Sequence, residues 1–272
     1  EGYSEPKYVW QSGSGGDDGE TKLSLIPLIF GTLKGTFYAM LLSVPLALGS
    51  AVYISQFAAP SIRSLVKPAV EMMSAIPSVV VGFIAALWLA PKVDLNFLLI
   101  FLSLPIFTIL FFLTLCIWSK FATDKIRISA EHGFRLFYIL PSFLVTFLIL
   151  YSVCPWLEEV FFQGSFKLKV VDFFDIKGYE QRNCLIIGFA LGFAVIPIIF
   201  TIAEDVLSTV PRSLTANSLA LGANRWQTVW RVIIPSASPG IIAGVIIGFG
   251  RAIGETMIVL MATGNTPIMD YS

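Results

Sequence analysis

Two ionisable residues sit inside an apolar run. Arg251 lies about 12 residues into the stretch 239–262, roughly 18 Å along a helix rising 1.5 Å per residue, and Glu255 follows one turn later on the same face. An unpaired charge at that depth is costly in a bilayer, so both groups must face protein or water. Gly240, Gly244 and Gly248 precede them at four-residue spacing, a small-xxx-small seam along which another helix can approach. At 100° per residue Glu255 falls about 20° from Gly248, and Arg251 about 60° from it on the same side. The charges therefore share the packing face. Two chemistries fit: an Arg–Glu pair that only locks helices together, or a cationic station for an anion, with Glu255 holding and partly neutralising the guanidinium. Arginine suits phosphate because its planar fork matches oxyanion geometry.

Other chemistry lacks its residues. No G-x-x-x-x-G-K-[ST] loop is present, so the chain has no phosphate cradle for ATP. The single histidine, His132, lies among charges in a loop and reads as solvated. No Ser/His/Asp constellation, CxxC, HExxH or clustered metal-ligand set appears. The expectation is a chain that is not an enzyme, holds no cofactor or metal, and takes its energy from a partner.

The elements that must position these residues are membrane helices. The 272 residues are 56% hydrophobic and only 13% charged, about half the usual charged share. Eighteen cations balance 18 anions, which argues against nucleic acid as a partner. Cys116, Cys154 and Cys184 all lie in apolar runs, as small hydrophobes do. Six stretches reach the length of about 20 apolar residues that a bilayer demands: 31–56, 69–90, 97–118, 136–154, 183–203 and 239–262. Residues 1–20 read as a polar loop, and 21–30 as an interfacial lead-in helix. The fold expected is all-α, a polytopic helical bundle in contact with membrane lipid.

Charge sets the orientation. The loops 57–68, 119–135 and 204–238 carry nine cations and four anions; the opposite side carries seven and twelve. This places 204–238 inside, in the cytoplasm, and 1–30 and 155–182 outside. Within the external loop, Phe166, Lys167, Leu168, Lys169 and Val170 alternate like a short strand. Lys34 reads as snorkelling near the external end of its span, and Glu71 as snorkelling or serving a helix N-terminus near the cytoplasmic end. The chain starts at Glu1 with no visible signal peptide and is read as part of a longer protein.

The 204–238 loop is too long to be a plain connection. Pro211 and Pro235 bracket it, Gly222 is a break between two short helices, and Trp226 and Trp230 supply apolar area. Such an elbow can dock in a groove on a partner protein or lie on the headgroups with the tryptophans as anchors.

Gly222 and Pro235 stand thirteen apart, with Val232 and Ile234 just before the proline. This resembles the "EAA" loop of binding-protein-dependent ABC transporter permeases: Glu-Ala-Ala, three residues, Gly, nine residues, Ile-x-Leu-Pro. Ala216, Asn217 and Ser218 occupy the Glu-Ala-Ala positions, so the acidic residue of the pattern is absent. The stretch Gly250-Arg-Ala-Ile-Gly-Glu-Thr-Met, followed by Gly264 and Asn265, resembles the phosphate-uptake, PstC-type branch more specifically. So does Pro68 to Gly82, its second core helix.

The resemblance implies an ABC importer permease core of MetI-like fold, laid out as a first part over 31–91 and a second over 183–272. An inserted transmembrane hairpin with its external loop fills 92–182, outside the resemblance. The family core has one further helix after the last span. The resemblance also implies that Arg251 and Glu255 serve the passage of inorganic phosphate. The loop through Ala216, Asn217, Ser218, Gly222, Trp226, Val232, Ile234 and Pro235 would couple to ABC ATPase subunits, on which ATP and Mg reside. A second homologous permease and an external phosphate-binding protein would complete a bacterial inner-membrane importer. Another oxyanion (molybdate or sulfate), a non-conducting scaffold or sensor, and a secondary transporter remain as alternatives.

Overall fold

The computed structural model describes residues 24–100, 109, 112–113, 116, 136–162, 166–173 and 183–263. The readings of the polar start, most of the third span, His132 with its loop, residues 174–182, Gly264 and Asn265 lie outside the described residues. Every regular element described is a helix. Among the described residues, five helices are long and apolar enough to cross a membrane: Ile26–Gln56, Ser78–Leu95, Leu144–Phe162, Cys184–Thr209 and Arg225–Gly254.

We number the helices α1 (Ile26–Gln56), α2 (Pro60–Ser74), α3 (Ser78–Ile84), α4 (Ala90–Leu95), α5 (Leu136–Phe162), α6 (Phe166–Phe173), α7 (Cys184–Thr209), α8 (Arg212–Ala220), α9 (Arg225–Thr228), α10 (Ile234–Gly254) and α11 (Thr256–Thr263). One compact unit holds the residues up to Leu89 and those from Arg182 onward; the other spans Ala90–Gln181.

In the first unit α7 is central. More than half of its spanning window (56%) is buried, against 22–28% for the other candidate spans of the unit. Small residues make this possible by letting backbones approach. On one side, a Cβ added at Gly188 would meet Tyr38 Cβ at 2.8 Å, and one at Gly192 would meet the Ala39 carbonyl oxygen at 3.3 Å. Ala39, Ala47 and Ala51 of α1 are fully buried. On another side, α10 brings its glycines against α7. A Cβ at Gly240 would lie 2.5 Å from Val206 Cγ1, one at Gly244 3.0 Å from Ile202 Cγ2, and one at Gly248 2.5 Å from Ile199 Cγ1. Further along, α3 meets α11, where a Cβ at Gly82 would sit 2.8 Å from Met261 Cβ.

Four expected elements differ in the structure. First, α1 begins at Ile26 with Pro27 in its opening turn, so the end of the lead-in stretch is the start of the span itself. Second, the stretch 69–90 is not one helix. It breaks at Ala75–Pro77, because Pro77 disfavours helix in the residue before it. Third, 204–238 is not a loop. The α7 helix runs on to Thr209, and a continuous helix covers Arg225–Gly254. Pro235 fails to end that helix because a π turn, Val229–Ile233, widens the spiral just before it. Pro239 leaves the Pro235 carbonyl without its helical N–H, and Ser238 Oγ donates to that oxygen at 2.9 Å.

The fourth difference lies in the second unit, where the alternating 166–170 segment is helix α6. The Glu158 carboxylate accepts the Phe166 N–H at 3.0 Å, taking up a free donor at the helix start. Lys167 pairs with Asp94. The Phe162 and Phe166 rings meet edge-on at 4.7 Å, and Phe97 lies 6.1 Å from Phe166. Phe166 thus meets Phe162, four residues earlier, and not a neighbouring strand.

Candidate functional site

Arg251 occupies the last turn of α10. The helix ends at Gly254, and Glu255 leaves helical geometry with φ −84° and ψ 94° before α11 begins at Thr256. The expected unbroken span over 239–262 is thus interrupted at the acidic residue. The helical wheel that set Glu255 about 20° from Gly248 does not extend past Gly254. Even so, the two side chains face each other. Arg251 Nη2 lies 3.5 Å from Glu255 Oε2, with the guanidinium side chain half exposed (50%) and the carboxylate side chain largely covered (9%). Gly250 and Gly254, flanking the arginine, face open space, whereas Gly248 lies against α7. Arg251 therefore stands on an open side of this chain and not in the glycine seam.

That geometry bears on the locking alternative. The pair lies within one segment, four residues apart, and joins no second helix. At 3.5 Å, with the guanidinium half exposed, it is a long and loose contact. Among the described residues, Arg251 has this one ionic partner. The guanidinium keeps most of its five donors for something else.

The elbow has a defined shape. The α8 helix ends at Ala220, and Gly222, just past the Leu221 cap, has a φ of +85°, a conformation suited to glycine. Gly222 N–H donates to the Leu219 carbonyl at 3.0 Å, and Ala223 N–H to the Ser218 carbonyl at 3.2 Å. Asn224 then caps the next helix. Its side chain accepts the Gln227 N–H at 2.8 Å, and the Gln227 side chain accepts the Asn224 N–H at 3.0 Å, a reciprocal capping box. The hydroxyls of Ser218 and buried Thr228 lie 2.9 Å apart and tie α8 to α9. The Trp226 ring stands 5.8 Å from Trp230 and 5.9 Å from Phe57 at the end of α1. No residue of α8 is buried, Ala216 and Asn217 are exposed, and Leu221 is 89% exposed at the tip. Val232, Ile234 and Pro235 lie in the continuous helix beyond, so the expected second short helix is the first turn of a membrane-length one.

Sequence reasoning missed a third feature. Glu204, counted as a loop charge, is wholly buried in α7. Arg63 Nη2 lies 2.5 Å from its Oε1 and Lys67 Nζ 3.1 Å from its Oε2. Ser208 Oγ donates to Glu204 Oε1 at 3.0 Å and accepts from Arg63 at 2.7 Å. Lys67 also pairs with Asp205 at 2.6 Å. The Asp205 hydrogen bond outweighs partial burial, and with the pairing to Glu204 it raises the Lys67 pKa above the ordinary lysine value. The available signal was the spacing of Arg63 and Lys67, one turn apart on α2, with Glu204 and Ser208 one turn apart on α7.

Among the described residues no group of His, Cys, Asp and Glu could hold a metal ion. The sequence model of the family described as "Binding-protein-dependent transport system inner membrane component" matches residues 95–271. That match takes in the 97–182 stretch, which the sequence reading left outside the resemblance. The chain is 28% identical over 242 residues to the phosphate transport system permease protein PstC of Pasteurella multocida, covering 89% of this chain and 57% of that protein. It is 28% identical to the PstC protein of Haemophilus influenzae, covering 89% and 58%. It is 25% identical to the probable ABC transporter permease protein YqgH of Bacillus subtilis, covering 94% and 57%. The chain thus spans a little over half the length of these curated relatives. No solved structure matches it. With its helical architecture and a match over most of its length, the chain belongs to the family of binding-protein-dependent transport system inner membrane components.

Proposed function

We propose that this chain forms part of the permease of an ATP-driven importer of inorganic phosphate in a bacterial inner membrane. The observation that carries the reading is Arg251. It is a half-exposed guanidinium at a helix break inside an apolar segment, held by one weak contact to Glu255. The names of the PstC relatives support phosphate as the substrate class.

In this reading the elbow at Gly222 lies in the cytoplasm, and the 1–30 and 155–182 segments lie outside. An external binding protein delivers phosphate to the outer face. The anion passes between this subunit and a second, homologous permease. Arg251 offers charge-assisted hydrogen bonds to the oxyanion where the bilayer would otherwise oppose it. Glu255 orients the guanidinium and keeps its charge partly neutralised, so that the anion is released as well as taken up. ATP and Mg act on partner ATPase subunits. Closure of those subunits moves α8 and the helix from Arg225 onward, and access alternates.

The test is uptake of radiolabelled phosphate by vesicles carrying the intact transporter. Arg251→Gln should abolish uptake while all subunits still assemble; import at the normal rate would remove the anion-station reading. The YqgH relative's name specifies no substrate, so another oxyanion is the second reading. Competition by molybdate or sulfate at phosphate-like concentrations would favour it. A non-conducting sensor would show neither uptake nor competition.

A further inference from the structure

Glu204 takes no part in the proposed anion path or in the elbow, yet it is a wholly buried acidic residue with three side-chain donors around it. Uncompensated, a buried carboxylate is among the costliest groups a fold can hold, and truncating one partner leaves the other stranded. Its position gives that arrangement a use. Glu204 lies five residues before the end of α7, and Val210 and Pro211 alone separate α7 from α8. On the other side, α2 has no buried residue of its own. It is fastened to α7 by Arg63 and Lys67, one turn apart, both reaching Glu204, with Lys67 also reaching Asp205. Gln56, the last residue of α1, donates a 3.4 Å hydrogen bond from its side chain to the Leu207 carbonyl and so fixes the chain entering α2. Beyond α2 the chain breaks at Ala75–Pro77 and enters α3, which lies against α11, the helix that follows Glu255.

We propose that Glu204 is a positioning residue. It ties α2 to the end of α7, so that a displacement of α8 is handed to α2 and not lost at the Val210–Pro211 joint. The joint between α2 and α3 at Pro77 is then the hinge through which the movement reaches the helices around Arg251. This rests on the proposed coupling through α8. The strut itself is a property of this chain and can be measured without substrate.

The experiment places spin labels at Ser61→Cys on α2 and Thr209→Cys at the end of α7, in the full chain in nanodiscs with Cys116, Cys154 and Cys184 replaced by serine. The unaltered network should give one narrow distance distribution. Glu204→Gln, which keeps the shape and removes the charge, should broaden it by several ångströms. In the assembled transporter, the same variant should lower the ratio of binding-protein-stimulated to basal ATP hydrolysis about tenfold with subunit stoichiometry unchanged. Should Glu204→Gln fail to accumulate, Lys67→Met, at a one-third exposed position, carries the test with the same two readouts. A distribution that stays narrow, or a stimulation ratio that stays at the wild-type value, overturns the strut. Loss of phosphate uptake in Arg251→Gln alongside an unchanged label distance in Glu204→Gln would sink the strut and leave the anion reading standing. Normal uptake in Arg251→Gln with broadening in Glu204→Gln would do the reverse.

Discussion

A guanidinium and an ammonium differ in shape more than in charge, and the Arg251 position should expose that difference. Lysine at 251 restores a positive point charge but not the planar fork. Arg251→Lys should therefore retain a measurable fraction of phosphate uptake with a raised half-saturation concentration, whereas Arg251→Gln should retain none. Uptake at the unaltered rate by both variants would mean that neither charge nor shape at this position matters. Both residues of the pair were legible in the sequence, because a charge within an apolar run admits few explanations. The helix break between them was not. Gly254 precedes an acidic residue in a run that hydropathy alone reads as continuous, and the bend shows only in the backbone angles of Glu255. Glu204 was misread for the opposite reason. A carboxylate near the end of an apolar run reads as the start of a loop, and only the fold reveals that Arg63 and Lys67 come from a distant segment to pair with it. Because the Lys67 pKa is raised, its contribution to stability is fully present below the ordinary lysine range and is lost only as pH climbs through that raised value. This part of the network should be insensitive to pH across the neutral range, checked as a flat dependence of thermal stability between about pH 6 and 8.

At the level of elements, the four-residue glycine spacing on α10 meets α7 side chains at Val206, Ile202 and Ile199. Gly248→Ala would press a Cβ onto Ile199 Cγ1 at 2.5 Å. Overpacking of this kind costs about 1–3 kcal/mol. The expected outcome is a lower melting temperature in detergent, with partial recovery in the double variant Gly248→Ala/Ile199→Ala, since the two closest atoms belong to that side chain and Val195 Cγ1 stays at 3.2 Å. No recovery would place the strain outside Ile199. The elbow makes a second case. Gly222→Ala puts a Cβ at φ +85° in otherwise open space, a conformational cost of about 1 kcal/mol. It should weaken coupling more than assembly, read as the ratio of stimulated to basal ATP hydrolysis. A ratio equal to that of the unaltered protein would mean that the turn's geometry is immaterial. Gly222 as the break was readable from the sequence because the conformational freedom of glycine is local. The length of the following helix was not, because Pro235 looks like a terminator until the π turn before it is seen. Likewise, the alternation over 166–170 suggests a strand only while Glu158 and Asp94, which support the helix, are out of view.

For the whole molecule, a formal net charge of zero conceals cation-rich and anion-rich stretches along the chain. Residues 57–68, 119–135 and 204–238 are cation-rich, which supports the proposed cytoplasmic placement of the elbow. A cysteine at Leu221, the exposed tip of the elbow, in the cysteine-free background should react with a membrane-impermeant maleimide only after cells are opened. Labelling in intact cells would invert the topology and detach the elbow from any cytoplasmic ATPase. All-helical architecture and membrane residence followed directly from composition, since so apolar a chain has few other ways to satisfy its backbone in lipid. The arrangement of helices did not follow. The central place of α7 depends on small residues on two of its sides, which become informative only once α1 and α10 are known to be its neighbours.

The most direct measurement is made on the reconstituted transporter, with external phosphate-binding protein, ATP inside the vesicles, and phosphate entry and ATP hydrolysis followed together. With Arg251→Gln, stimulated hydrolysis should persist while phosphate entry falls to background, because the motor still turns and the anion has lost its station. Phosphate entry in step with hydrolysis, at the unaltered rate, would contradict the account.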